Sequence, residues 1–252
     1  MTQASAKIRL FVPQAFSPDG LLVLPAPQSH YLAHVMRAKP GQLIAVFNGQ
    51  DGQWLAEIIV VEKKTVSLRL LRQTAPQQPA PDLWLAFAPI KHHMERMVEK
   101  AVELGASTLL PVITRHSVVR AIHEEKLMAH AIEAAEQCER HDVPAIIPCK
   151  DISELLAKWP AGRTLLHADE TGTGKPLPAL LAVTKGPFGV LVGPEGGFAA
   201  DERAMLAASP AVLAFGMGSR ILRADTAAIA ALSCVQALTG GWEAAPRFTA
   251  GA

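Results

Sequence analysis

A proline-rich stretch, Gln73–Pro81, divides the sequence into two parts that differ in pattern and in charge. It contains three prolines and no apolar residue larger than alanine or proline, a composition typical of a linker. We therefore predict a first domain over residues 1–74, a linker over 75–81 and a second domain over 82–244. A chain of 252 residues is long enough to bury two modest hydrophobic cores.

The first part has the pattern of a small β-domain with one helix. Its short segments rich in strand-forming residues are Ile8–Val12, Gln42–Phe47, Trp54–Val60 and Val66–Leu70. Asn48–Gly52 joins two of these segments with residues that tolerate positive φ, as a hairpin turn requires. One helix is expected over about Gln28–Ala38, ending before Pro40. These elements together predict a β-barrel-like module.

The second part alternates apolar strands with helices. The predicted strands are Leu83–Ala88, Thr108–Ile113, Thr164–His167, Gly189–Val192 and Val212–Phe215. The predicted helices are His93–Leu104, Glu124–Arg140, Leu177–Val183, one starting at about Asp201, and Asp225–Leu238. Near-continuous apolar strands that alternate with helices indicate an α/β fold with a chiefly parallel sheet. Ligands of such sheets usually bind at the carboxyl ends of the strands.

The near-neutral net charge of +1 hides an uneven distribution. Residues 1–80 hold eight Lys or Arg against four Asp or Glu, whereas the remainder holds 16 against 19. A basic first domain is compatible with a nucleic-acid partner, which the total alone would disfavour.

Several classes of protein are excluded by simpler features. No apolar run approaches the roughly 18 residues of a membrane-spanning helix, and no signal-peptide pattern opens the chain. Cys138, Cys149 and Cys234 are widely spaced, so neither a disulfide framework nor a zinc ribbon is expected. The four histidines His92, His93, His116 and His123 lack the spacing of a metalloprotease helix, and we expect no metal site. These features predict a soluble, cytoplasmic protein.

Three loops follow predicted strands and are candidate ligand sites: His167–Gly172, Gly193–Phe198 and Gly216–Thr226. Neither the Walker nor the Rossmann pattern fits them, which argues against phosphate-cradling ATP or NAD sites. The second loop has three glycines within five residues, so a flat adenine or amino-acid moiety could lie against bare backbone. A plain strand-to-helix turn is the alternative.

The third loop carries two arginines, Arg220 and Arg223, just before a helix whose N-cap is predicted to be Asp225. Two guanidinium groups near a helix start and a ligand cleft favour anion binding or charge stabilisation. Solvated surface arginines are the alternative.

The segments Leu191–Phe198 and Gly218–Ala227 closely resemble the bacterial 16S ribosomal RNA (uracil-N3)-methyltransferases of the SPOUT superfamily. Further similar segments along both parts of the chain are Arg9–Val12, His34–Arg37, Phe47–Gly49, Met94–Gly105 and Glu136–Cys138. Three positions depart from the family pattern. Ser219 replaces a frequent proline, Asp225 a usual glutamate, and Ala199 a usual Ser or Thr cap.

The resemblance implies a PUA-like RNA-binding β-barrel followed by a SPOUT α/β domain with a trefoil knot. It also implies a homodimer that binds S-adenosylmethionine and methylates N3 of one uridine, U1498, in 16S rRNA of the small ribosomal subunit. The implied cofactor-binding residues are Leu166, His167, Gly193, Pro194, Glu195, Gly196, Gly197, Gly216, Met217, Gly218, Ser219, Ile221, Leu222, Arg223 and Thr226. The candidate RNA contacts are Arg9, Arg37, Lys91, Arg96, Arg115, Arg120 and Arg140.

Three residues are candidates for catalysis. Uracil N3 must lose its proton, and Arg223 could stabilise the resulting anionic ring. Asp225 or Glu195 could accept the proton, directly or through water. Either acid could instead be structural, and the reaction could proceed without a dedicated base. His167 could border the cofactor or be a satisfied structural residue.

Two other functions remain open at this point. One is a SPOUT methyltransferase that modifies a ribose 2′-hydroxyl or a guanine nitrogen. The other is a non-catalytic RNA-binding protein of ribosome assembly.

Overall fold

A computed structural model of the protein describes residues 6–62 and 65–243. Residues 1–5 and 63–64 of the predicted first domain and residue 244 of the second lie outside this part. Contacts divide the described chain into two compact units. The first contains residues up to 79 together with Ala135–Val143, and the second contains 80–134 and 144–243.

The first unit is built on a five-stranded sheet with the order β1-β3-β4-β5-β2. Its strands are β1 (Arg9–Phe11), β2 (Leu21–Val23), β3 (Leu43–Phe47), β4 (Gln53–Val61) and β5 (Val66–Ala75). Neighbours pair antiparallel, except for β1 and β3, which are parallel. The four predicted strands are confirmed, β5 extends past the predicted end, and β2 is an additional strand. Alternate residues such as Ala56, Ile58, Leu68 and Leu70 point into the core and are fully buried.

The predicted helix of the first unit is shorter and less regular than expected. Helix α1 covers Ala26–His30 and continues as a π-helical turn over Tyr31–Val35. Arg37 then takes a positive φ of 49°, which ends the helical path before the predicted end at Ala38.

Residues Ala135–Val143 complete the first unit although they lie far along the chain. The carboxylate of Glu136 accepts a hydrogen bond of 2.9 Å from the backbone amide of Phe11. The sequence pattern placed this segment in the second domain, because an α-helix continues into it.

The second unit contains a fully parallel seven-stranded sheet with the order β10-β12-β9-β11-β6-β7-β8. The strands are β6 (Leu83–Phe87), β7 (Thr108–Pro111), β8 (Ala145–Ile146), β9 (Thr164–Ala168), β10 (Lys175–Pro176), β11 (Phe188–Val192) and β12 (Val212–Gly216). Every residue of β11 is buried, as its continuous apolar run predicts. The predicted parallel α/β fold is confirmed.

The helices of the chain beyond α1 are α2 (Met94–Glu103), α3 (Glu124–Gln137), α4 (Ile152–Ala157), α5 (Leu177–Leu181), α6 (Ala200–Ala208) and α7 (Ala224–Leu238). The prediction of Asp225 as N-cap of the last helix was wrong. Arg223 is the N-cap because its extended backbone leads directly into Ala224, and Asp225 lies in the first turn. Within residues 6–62 and 65–243, no helix has the length and apolar character needed to cross a bilayer.

Candidate active site

Strands β9, β11 and β12 are neighbours in the sheet, so the three loops that follow them meet at one edge. They surround a cavity of about 530 Å³. A volume of this size is within the range of small-molecule sites, about 300–1,000 Å³. Predicted cofactor residues that line it are Gly193, Pro194, Glu195, Gly196, Gly197, Gly216, Met217, Gly218, Ser219, Ile221 and Leu222.

Four residues predicted to bind cofactor are not among those that line the cavity. Leu166 and His167 are buried within β9, where parallel strands cover them on both sides. Arg223 and Thr226 are exposed, one just before and one within the first turn of α7. Arg223 nevertheless stands between Leu222 and Ala224, which both line the cavity.

The first loop is organised by Asp169, which lines the cavity. Its carboxylate accepts hydrogen bonds from the backbone amides of Thr171 (3.0 Å), Thr173 (3.1 Å) and Gly174 (3.1 Å). Burial alone would raise the pKa of this carboxyl group, but the hydrogen bonds from Thr173 and Thr171 outweigh it and lower the pKa to about 2. Asp169 therefore remains charged and holds the loop in one conformation.

The last residue of the second loop, Phe198, packs its ring beneath the first residue, Gly193. A Cβ atom on Gly193 would lie 2.7 Å from Cε2 of Phe198, so only glycine allows this approach. Phe198 in turn packs edge-on against His167, with ring centroids 5.1 Å apart. Burial lowers the pKa of His167, although Glu170 and Asp169 oppose this effect. His167 is thus packed in the core, but its buried Nε2 has no hydrogen-bond partner among the described residues, so it is not the satisfied structural residue of the alternative interpretation.

Helix α6 begins at the end of the second loop and holds it through charged side chains. The buried carboxylate of Glu202 accepts a 2.9 Å hydrogen bond from the backbone amide of Ala199. This bond is one half of a capping box, and Ala199 lacks the oxygen for the other half. The guanidinium of Arg203 donates to the carbonyl oxygen of Phe198 and also lines the cavity. Arg203 is a site residue that the sequence pattern did not indicate, since it lies on a helix beyond the glycine-rich loop.

The two candidate proton acceptors occupy different environments. Glu195 is exposed and lines the cavity. Asp225 is half-buried, is not among the lining residues, and accepts a 2.8 Å hydrogen bond from the backbone amide of Thr226. The position of Asp225 thus fits a helix-stabilising acid in the first turn.

The candidate RNA-binding residues fall into two groups. Arg37, Lys91 and Arg96 have exposed side chains. The other four interact with other parts of the protein: Arg115 and Arg120 are also exposed, whereas Arg9 and Arg140 are partly buried.

Arg9 is the most firmly held of the second group. Its guanidinium donates to the carbonyl oxygens of Ala135, Glu136 and Arg140, and lies 4.2 Å from the ring centroid of Phe47. This geometry favours a structural role, and we leave Arg9 out of the proposed RNA surface. Arg140 is left out for the same reason, because its guanidinium pairs with Asp142.

Within the described residues, no group of three or more His, Cys, Asp or Glu side chains is arranged to hold a metal ion.

Comparisons with known proteins agree with this architecture. Residues 76–236 match the family described as RNA methyltransferase domain, and residues 24–71 match the RNA methyltransferase PUA domain. Ribosomal RNA small subunit methyltransferase E of Rickettsia conorii is 35% identical over 212 residues, covering 83% of this chain and 86% of that protein. The protein of the same name from Bacillus subtilis is 29% identical and covers 82% of this chain and 86% of its own length.

Solved structures give the same result. Ribosomal RNA small subunit methyltransferase E from Neisseria gonorrhoeae, bound to S-adenosylmethionine, superposes with a TM-score of 0.80 at 27% identity, over 92% of this chain and 97% of that chain. A putative methyltransferase from Legionella pneumophila in complex with the same cofactor has a TM-score of 0.79 at 27% identity, over 92% and 98%. The chain therefore belongs to the ribosomal RNA small subunit methyltransferase E family.

Proposed function

We propose that the protein transfers the methyl group of S-adenosylmethionine to N3 of one uridine in 16S rRNA, U1498 by family resemblance. The observation that carries the proposal is the cavity at the ends of β9, β11 and β12, to which all three predicted loops contribute. The Neisseria gonorrhoeae relative, which binds S-adenosylmethionine, shares the fold over nearly its whole length.

The residues around the cavity fit a methyl donor that carries a planar adenine and a charged amino-acid moiety. Gly193, Gly196, Gly216 and Gly218 line the cavity, and they carry no side chains of their own between their backbone groups and a ligand. Both signs of charge are available at the cavity wall, from Glu170 and Glu195 and from Arg203 and Arg220. S-adenosylmethionine supplies an electrophilic methyl group, so that no metal is needed for the transfer.

The protein has to hold the uracil in line with the methyl group and to receive the N3 proton. Glu195 is our choice as proton acceptor, directly or through water, because its carboxylate is at the cavity and Asp225 is bonded to its own helix start. Arg223 is exposed between two lining residues, where its guanidinium can meet a carbonyl oxygen of the anionic ring.

Arg37, Lys91, Arg96, Arg115 and Arg120 are proposed to contact rRNA phosphates, because their side chains are exposed and can displace counterions from the RNA. The target base must be unpaired or extruded, since N3 is occupied in a Watson–Crick pair. The domain limits at 74/75 and 81/82, the trefoil knot, the homodimer and a cytoplasmic location belong to the same proposal.

The decisive experiment is incubation of the protein and labelled S-adenosylmethionine with small ribosomal subunits from a strain that lacks this activity. Naked 16S rRNA serves as a parallel substrate. We expect mass spectrometry of the digested RNA to detect 3-methyluridine. A methylated ribose or guanine would overturn the uracil assignment. Absence of measurable S-adenosylmethionine binding, together with no methylated product, would leave only the assembly-protein function.

A further inference from the structure

The glycine-rich second loop has little conformational restraint of its own. Gly196 and Gly197 have no side chains, and Gly197 has a φ of +68°. One hydrogen bond within the loop, from the amide of Gly197 to the carbonyl of Pro194 (2.9 Å), closes a tight turn. A loop of this kind needs an external partner if its carbonyl groups are to keep one orientation.

His116 is such a partner, although it lies 80 residues earlier in the chain. Its Nδ1 atom is 3.1 Å from the carbonyl oxygen of Gly196 and 3.1 Å from that of Gly197. Both carbonyl oxygens can only accept hydrogen bonds, so Nδ1 must carry the proton and donate to them. The contact is close, since a Cβ atom on Gly196 would lie 3.3 Å from Cβ of His116.

The segment that carries His116 is itself fixed. The hydroxyl of buried Ser117 accepts a 2.9 Å hydrogen bond from the backbone amide of Thr114. The guanidinium of Arg120 donates to the carbonyl oxygens of Thr114 (3.1 Å) and Arg115 (2.6 Å). The imidazole is therefore presented from a rigid turn.

The same segment is also connected to the far end of the second loop. The backbone amide of Arg115 donates to Oε1 of buried Glu202 at 2.9 Å. Oε2 of that carboxylate accepts from Ala199, the residue after Phe198. The residue that follows Phe198 is thus held through Glu202, and His116 contacts the two glycine carbonyls that precede Phe198.

We propose that His116 is a positioning residue that sets the peptide planes of Gly196 and Gly197 and thereby the affinity of the cavity for the methyl donor. This role rests on the proposed function, because the cavity must bind S-adenosylmethionine. His116 acts through the loop and does not line the cavity itself.

The test compares two substitutions of similar shape and opposite hydrogen-bonding capacity. In His116→Asn, the amide nitrogen takes the place of Nδ1 and can donate to the carbonyls, whereas the carboxylate of His116→Asp can only accept. We expect titration calorimetry to give the asparagine variant a Kd for S-adenosylmethionine within about twofold of wild type. The aspartate variant and His116→Ala should bind about five- to tenfold more weakly, the loss expected for one hydrogen-bonding group.

Kinetics provide a second readout that a general loss of structure would not produce. The KM for S-adenosylmethionine should rise in His116→Ala while kcat at saturating donor stays close to wild type. His123→Ala, at an exposed histidine nearer to α3, is the matched control and should keep wild-type affinity. Thermal unfolding verifies that each variant is folded.

If the wild type binds S-adenosylmethionine and the asparagine, aspartate and alanine variants all have the same Kd for it, the proposed role of His116 is wrong. Failure of the wild type to bind S-adenosylmethionine would instead refute the proposed function, and the role of His116 with it.

Discussion

The carboxylate of Asp169 accepts a hydrogen bond of 2.7 Å from the hydroxyl of Thr173, in addition to the bond from the amide of that residue. These bonds join the end of β9 to a turn at the cavity wall. They also make the stability of the turn dependent on the charge of one carboxyl group.

Asp169→Asn tests this dependence through pH. The folded-state pKa of Asp169 is lowered from 3.8 to about 2, so the charged form stabilises the folded protein. The stabilisation is complete above the unfolded pKa and is lost as the pH falls from about 4 to about 2. We expect wild type to exceed Asp169→Asn in unfolding free energy at pH 6, with the difference shrinking below pH 4. Thr173→Val should lower the unfolding free energy at pH 6 by less than Asp169→Asn does. If the difference in unfolding free energy between wild type and Asp169→Asn does not change with pH, this explanation is wrong.

Gly193→Ala tests the close contact beneath the second loop. The new methyl group would collide with the ring of Phe198, so we expect a loss of about 1–3 kcal/mol in unfolding free energy. Phe198→Leu in the same chain should recover part of this loss, which a double-mutant cycle measures. Gly216→Ala is the control, because the nearest atom to its Cβ would be the carbonyl oxygen of Gly174 at 3.4 Å. Equal losses at the two glycines would rule out the steric explanation.

Arg9→Ala tests the structural role assigned to this guanidinium. Removing a group that donates to three carbonyl oxygens should cost about 2–4 kcal/mol of stability. Arg9→Lys should recover less than half, because an ammonium cannot reproduce the planar fork and its contact with Phe47. Arg72→Ala, at an exposed position of β5, should change stability by about 0.5 kcal/mol or less. Urea unfolding measures the stability of the three variants. If Arg9→Ala is as stable as wild type but binds RNA more weakly, Arg9 is an RNA contact and not a structural residue.

Arg223→Ala tests the proposed stabilisation of the anionic ring. Loss of such a donor lowers turnover by roughly 100-fold or more, whereas the Kd for S-adenosylmethionine should stay within about threefold of wild type. Arg220→Ala is the comparison, because Arg220 lines the cavity. Its loss should raise the Kd for S-adenosylmethionine by a larger factor than it lowers turnover. Equal effects of Arg223→Ala on affinity and turnover would move this residue to a binding role.

The order of strands and helices in the second unit was predictable because strands such as β11 are apolar throughout and because α2, α3 and α7 are long enough to show a helical pattern. The two-residue strands β8 and β10 could not be predicted, since two residues establish no period. Helix α4 did have a usable signal, an acidic pair at Asp151 and Glu154 that forms its N-terminal cap.

The positions of the three site loops followed from the parallel-strand pattern, but individual side-chain roles did not. Arg9 has the same charge as Arg96 in the sequence, and only its carbonyl partners about 126 residues away make it structural. Arg203 lines the cavity although it lies on α6, where its guanidinium donates to the carbonyl oxygen of Phe198 in the preceding loop. The role of Arg9 depends on a contact between distant segments, which no local pattern encodes.

The segment Ala135–Val143 has a consequence for biosynthesis. A ribosome that has completed β5 must still add more than sixty residues before the carbonyl partners of Arg9 exist. At synthesis rates of about 5–20 residues per second, the nascent first unit spends several seconds without them. Its sheet can form during this interval, but its final stability is reached only after translation has passed the end of α3. Early termination after the proline-rich stretch should therefore leave a module that proteases cleave faster than the same residues in the finished protein.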